Sequence, residues 1–192
     1  MVSFEEYLYD KALSIISGWN EEDIYAISFL VNANEAYEYK GTKNVPSFEI
    51  SYNTESDCSR APAMSEERWN YAFWRQNSVV VIEPDDNNEG MERLFQWYKQ
   101  LGIKNIGQEA PDEMYDSEMN YIGKGPTGYY ELLTAVSNTA RALQENGEIE
   151  SRFGRIPIIV HDLEYAWYSL EATKNANPNG EADLFLAEME RC

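Results

Sequence analysis

The sequence predicts an α+β domain: a mixed or antiparallel sheet of about four strands covered by helices, with residues 1–192 forming a single domain. Two observations carry that prediction. Four stretches, at 23–33, 47–53, 78–84 and 155–162, have strand length and either a continuous apolar run or strict alternation. The helical stretches around them follow the order helix, two strands, helix, strand, two helices, strand, two helices, unlike the regular alternation of a doubly wound nucleotide fold. Hydrophobic residues make up 43% of the 192 positions, enough for one sizeable core, and no interdomain linker is evident.

Each element follows in order. Ser3 with Glu6 three residues later is a capping-box pattern, and Phe4, Leu8, Ala12, Ile15 and Trp19 recur along one helical side until Gly18 to Asn20 stop it. Residues 23–33, "DIYAISFLVNA", are apolar on both faces and read as a fully buried strand. "SFEISYN" alternates Phe48, Ile50 and Tyr52 against Ser47, Glu49, Ser51 and Asn53, which reads as an antiparallel neighbour with one wet face.

Residues 66–76 read as a helix capped by Ser65. At about 100° per residue, Trp69, Ala72 and Phe73 share a face, so Trp69 and Phe73 seal the core. Tyr71 and Trp74 fall off that stripe, either covered by another element or offered to a partner as anchors flanked by Arg68 and Arg75.

"SVVVIEP" at 78–84 is a second buried strand, ended by Pro84 and the polar run after it. Residues 88–102 and 127–147 are amphipathic helices; between them lies a long polar loop carrying Glu109, Asp112, Glu113, Asp116 and Glu118 with no base among them. "RIPIIVHD" is a strand, "LEYAWYSLEATKNAN" a helix ended by Asn177 and Pro178, and a last helix follows "PNGEAD".

The charge narrows function. With 34 acidic and 15 basic side chains the net charge is -19, a field that repels nucleic-acid phosphates and anionic membranes and attracts basic partners. The N-terminus has no basic leader before an apolar run, no stretch reaches the roughly 18 to 20 apolar residues of a span, and the two cysteines, Cys58 and Cys192, suggest no disulfide framework. The expectation is a cytoplasmic protein.

Catalytic signatures are sparse. His161, the single histidine, reads as a hydrogen-bonded strand-end residue, and neither Cys58 nor any serine carries a nucleophile motif. "GKGPTG" lacks Walker spacing, and "DDNNEG" starts like a calcium loop but places Gln96 where a bidentate glutamate belongs. No metal ligand set and no cofactor are expected.

Two readings follow. In the first, an acidic interaction protein meets a basic partner through Glu109, Asp112, Glu113, Tyr115, Asp116 and Glu118, with Tyr71 and Trp74 as anchors. In the second, a small hydrolase gathers Asn53, Glu55, His161, Asp162 and Glu164 at strand ends.

Three stretches, "FEISYNTE", "EERWNYAFW" and "IPIIVHDLEYAW" with its downstream "NANP", resemble a family of uncharacterised small bacterial domains of unknown function. The resemblance covers nearly the whole chain. Similar proteins tend to be encoded near polymorphic toxin systems, where small acidic proteins serve as immunity factors. It therefore implies an immunity-like role against a basic toxin domain and assigns no catalytic residue.

Overall fold

The computed structural model describes residues 2–109 and 114–191. Helix α1 (Phe4–Ser17) begins with the expected box: the Glu6 N–H donates to Ser3 Oγ and the Ser3 N–H to the Glu6 carboxylate. There follow β1 (Ile24–Ala33), a short hairpin of β2 (Glu38–Tyr39) and β3 (Thr42–Lys43), β4 (Pro46–Thr54), α2 (Glu66–Trp69) and a 3-10 turn at Tyr71–Phe73. Then come β5 (Val79–Ile82), α3 (Glu89–Leu101), α4 (Tyr129–Glu145), α5 (Glu150–Phe153), β6 (Ile158–His161), α6 (Trp167–Ala176) and α7 (Asp183–Met189). The chain is thus an α+β domain on a mixed sheet. The β2–β3 hairpin and α5 are too short, at two and four residues an element, to leave a periodicity in sequence.

The four main strands lie in the order β5-β4-β1-β6. β4 runs antiparallel to β1, with Phe29 opposite Ile50, as the alternation predicts; β5 is antiparallel to β4, and β6 is parallel to β1, with Phe29 opposite Val160. One face buries Ile27, Phe29, Val31, Phe48, Ile50, Ile158 and Val160 in one core with the apolar sides of α1, α3 and α4. On the other face Ala26, Leu30 and Ile159 form a second core with Trp69, Tyr71, Trp74 and Phe185. A register shift between Ile24 and Ala26 lets Tyr25 join Ala26 in that second core.

The aromatic stretch departs from its expected form. Asn70 leaves helical geometry (φ -79, ψ 116) and its side chain accepts the Ala72 N–H, a local bond that outcompetes continuation of α2. The break reverses the expected facing: Phe73 is 57% exposed, whereas Tyr71 (7%) and Trp74 (4%) are buried beside Trp69. Trp74 Nε1 donates to the Arg68 carbonyl and Trp69 Nε1 to that of Ala63, so both indoles are satisfied inside.

Burial under this segment also changes β4. Its polar face is not wet along its length, because Ser51 and Asn53 are buried. Asn53 Nδ2 donates to Tyr25 Oη at 3.0 Å, and Ser51 Oγ donates to Tyr71 Oη at 3.4 Å. Buried polar groups persist when they find such partners. Strand β5, expected to be buried, is an edge strand with Val79 and Val80 exposed and only Val81 and Ile82 inside.

The opposite edge is sealed by side chains. The Val160 N–H donates to Thr173 Oγ1 at 2.9 Å, whose hydroxyl donates back to the Val160 carbonyl. The Ile158 N–H donates to Asn177 Oδ1, and Asn177 Nδ2 donates to the Ile158 carbonyl at 2.7 Å. Four helical residues rise about 6.0 Å and two strand residues about 6.6 Å, so this spacing lets α6 and its C-terminal cap stand in for a missing strand.

Candidate functional site

The strand ends disperse the residues expected to form a hydrolase site. Asn53 pairs with Ala26 near the start of β1, whereas His161 pairs with Leu30 four residues further along. At about 3.3 Å per residue that places them roughly 13 Å apart along the strand direction. Glu55 lies beyond Asn53, where both of its carboxylate oxygens accept from Arg68, which holds its carboxyl below the usual range. Cys58 is buried at that same end, its Sγ 3.8 Å from Arg68 Nη1.

His161 is 1% exposed, with Nε2 2.8 Å from Ser28 Oγ. Its Nδ1 accepts the Leu163 N–H at 3.4 Å, so the ring proton sits on Nε2 and is donated to the serine. A general base would need its lone pair facing that hydroxyl. Burial pushes the imidazole down to about 3, and Tyr71 and Tyr165 pack on it at centroid distances of 5.0 and 5.4 Å. His161 and Ser28 are therefore a structural pair. Asp85, from the calcium-like stretch, accepts the Asn87 N–H in a tight turn, and Asn88 caps α3 through the Met91 N–H.

The described residues of the acidic loop make bonds of their own. The Thr127 N–H and hydroxyl both donate to the Gln108 carbonyl and close its base. Within it Tyr115 bridges Tyr121, and the Ile122 N–H donates to the Met114 carbonyl at 2.8 Å, making a hairpin of residues 114–122. Asp116 makes the turn: its carboxylate accepts the Glu118 N–H and both the backbone and side-chain N–H of Asn120. Those bonds, the Asn120 side chain's first, hold its carboxyl below the usual range, so Asp116 shapes the hairpin from within. At the surface the hairpin presents Met119 (75% exposed), Tyr115 and Ile122, with Glu118 exposed beside them.

Two adjoining cavities flank this hairpin. One, of ≈ 330 Å³, is lined by Glu109, Met114, Tyr121, Ile122 and Lys124, whose ammonium lies 4.5 Å from the Tyr130 ring centre. The other, of ≈ 270 Å³, brings Glu109 together with Asp162 and Glu164 among Tyr121, Tyr129 and Tyr168. The turn after β6 aims this end of the chain: Leu163 (φ 75) and Tyr165 (φ 53) are left-handed, a conformation uncommon outside glycine. Tyr165 goes inward, where its hydroxyl donates to the Trp69 carbonyl and burial raises it to about 12. Tyr129 and Tyr168 are raised too, by burial first and then by the Asp162 carboxylate, a sign of the negative field in the cleft.

The expected site residues therefore regroup. Glu109 lines one cavity with Asp162 and Glu164; Tyr115 and Glu118 lie exposed on the 114–122 hairpin; Asp116 serves the turn, and Asn53, Glu55 and His161 serve the core and its margin. Tyr71 and Trp74 are buried, which removes them as surface anchors. Asp112 and Glu113 lie outside the described residues. Sequence reasoning missed Met119, Tyr121, Tyr129 and Tyr168, and only the surplus of tyrosine around the acids hinted at them. In comparisons with known proteins, the chain matches no family model, no curated protein and no solved structure.

Proposed function

We propose that this is an acidic interaction protein that binds a basic protein partner and, in the manner of an immunity factor, inhibits a basic bacterial toxin domain. The observation that carries the reading is a cleft lined by Glu109, Asp162 and Glu164 with three tyrosines, on a chain of net charge -19 that also exposes Met119 and Tyr115 on the 114–122 hairpin. Charge of that sign speeds encounter with a cationic surface, while exposed apolar side chains such as Met119 and Tyr115 lengthen the complex's life.

Co-expression with the product of the gene beside its own tests the reading. Relief of toxicity together with a co-purified complex is the expected result. If the neighbouring product is harmless, or stays toxic and unbound, the inhibitor reading fails.

A further inference from the structure

We infer that the outer edge of β5 is a docking site for an extended strand of the basic partner, one in which apolar residues alternate with lysine or arginine; this rests on the acidic-interaction reading and says by what geometry contact is made. An outermost strand turns part of its backbone N–H and carbonyl groups away from its one neighbour, and such a row is a template for another chain. The two edges of this sheet treat that row differently. On β6, Thr173 and Asn177 answer the N–H and carbonyl groups of Val160 and Ile158. On β5, among the described residues, no hydrogen bond outside the pairing with β4 reaches the backbone of Val79–Ile82. The strand also exposes two large apolar side chains, Val79 at 43% and Val80 at 44%. They pair with Ile50 and Glu49, neighbours on β4, and so lie on opposite faces of the sheet.

Charge complementarity chooses the occupant. A cavity of ≈ 310 Å³ takes in Val80, but not Val79, together with Glu49, Glu83 and Asp85, and no base lines it among the described residues. None of those three acids is in an ion pair with another described residue. A residue of an added strand opposite Val80 points the same way as Val80, toward these carboxylates, whereas one opposite Val79 meets an apolar neighbour. Alternation of basic and β-branched residues therefore matches the edge, and a slip of one residue would exchange the two sets. A second copy of this chain does not supply that pattern: from Ser78 to Glu83 it has no base, and Arg75 just before is held by Glu21 and Asp57.

The test uses the full chain, with nuclear magnetic resonance and amide exchange, and the capped heptapeptide Thr-Val-Lys-Val-Lys-Val-Thr. Its companions carry glutamine or glutamate in place of both lysines, or proline in place of the central valine, and hexa-lysine is a further probe. The lysine heptapeptide should shift and protect the Val79–Ile82 amides and bind about fivefold more tightly than the glutamine form, with the glutamate form weaker still. The proline form, which lacks a ladder donor, should leave those amides unprotected. Val80→Lys should weaken the lysine heptapeptide about fivefold with an unchanged circular dichroism spectrum, and Glu83→Gln should weaken it but not the glutamine form. A glutamine form that binds β5 as tightly as the lysine form overturns the basic occupant. Dimers of the chain alone, with concentration-dependent protection of Val79–Ile82, overturn the partner strand in favour of a second copy. Lysine heptapeptide or hexa-lysine bound elsewhere, with β5 unperturbed, overturns the edge and leaves the acidic-interaction reading standing. Failure of both cationic probes to bind overturns the inference and that reading together.

Discussion

Ser28 Oγ and His161 Nε2 meet 2.8 Å apart inside the second core, with the histidine donating. The folded state keeps this ring neutral down to about pH 3, whereas an unfolded histidine titrates near 6.5. Between those values the unfolded chain binds the extra proton, so the contribution is full above about pH 6.5 and is lost progressively on acidification, by about 1.4 kcal/mol per pH unit. The depressed carboxyls, Glu55 among them, add acid sensitivity only below about pH 4.5. Urea unfolding between pH 7 and 5 should therefore show a slope that His161→Gln reduces by about one proton. Equal slopes in the two proteins would contradict the buried neutral histidine.

The aromatic segment gives a pair of opposite expectations. Trp74→Ala removes a buried indole and one of the two donors to the Arg68 carbonyl, the Tyr25 hydroxyl remaining, at a cost of about 3–5 kcal/mol. Phe73→Ala, one residue earlier, removes an exposed ring and should change stability by less than about 0.5 kcal/mol. Had the stretch been the continuous helix expected from its spacing, Phe73 would be the costly position. Denaturation midpoints of the two variants decide it.

Along the edge of β6, Asn177→Ala leaves the Ile158 N–H and carbonyl without their partners and frees Gln144 Nε2 from one of its acceptors. Each buried group left unsatisfied costs about 1–3 kcal/mol, so a loss of about 3 kcal/mol is expected. Thr173→Val keeps the shape but leaves the Val160 N–H and carbonyl unpartnered in the same way, so its cost should be similar, less the Asn177 bond to Gln144. Amide exchange at Ile158 and Val160 should accelerate selectively in the respective variants.

Asp116→Ala should open the 114–122 hairpin without touching the core. Protection of the Glu118 and Asn120 amides should disappear while the melting temperature moves by less than about 2 °C, since the substitution is at the surface. A large global loss would mean that the hairpin is part of the folding unit.

How much of this was legible in the sequence depended on what the signal was made of. Period and caps are local, so α1, β1 and the antiparallel β4 neighbour could be read directly from Ser3, Glu6 and the alternation of Phe48, Ile50 and Tyr52. The facing of the aromatic stretch was not legible, because one side-chain bond from Asn70 to Ala72 decides it. The wet face expected for β4 failed for a related reason: Ser51 and Asn53 are polar because they answer Tyr71 and Tyr25, partners distant in sequence. The acids of the loop were visible, but which of them stand free was not. Asp116 is occupied by its own turn, while Glu109 gains Asp162 and Glu164 only through β6 being parallel to β1 and the left-handed turn that follows it.

The Thr173 and Asn177 seal has a consequence for self-association. Edge-to-edge growth of β-sheets is a chain reaction that needs two free sides per molecule, one to join and one to be joined. With β6 closed by a helix, a copy of this protein that paired through the exposed Val79–Val80 side would terminate the process, so encounters at that edge lead to a pair and never to a fibre.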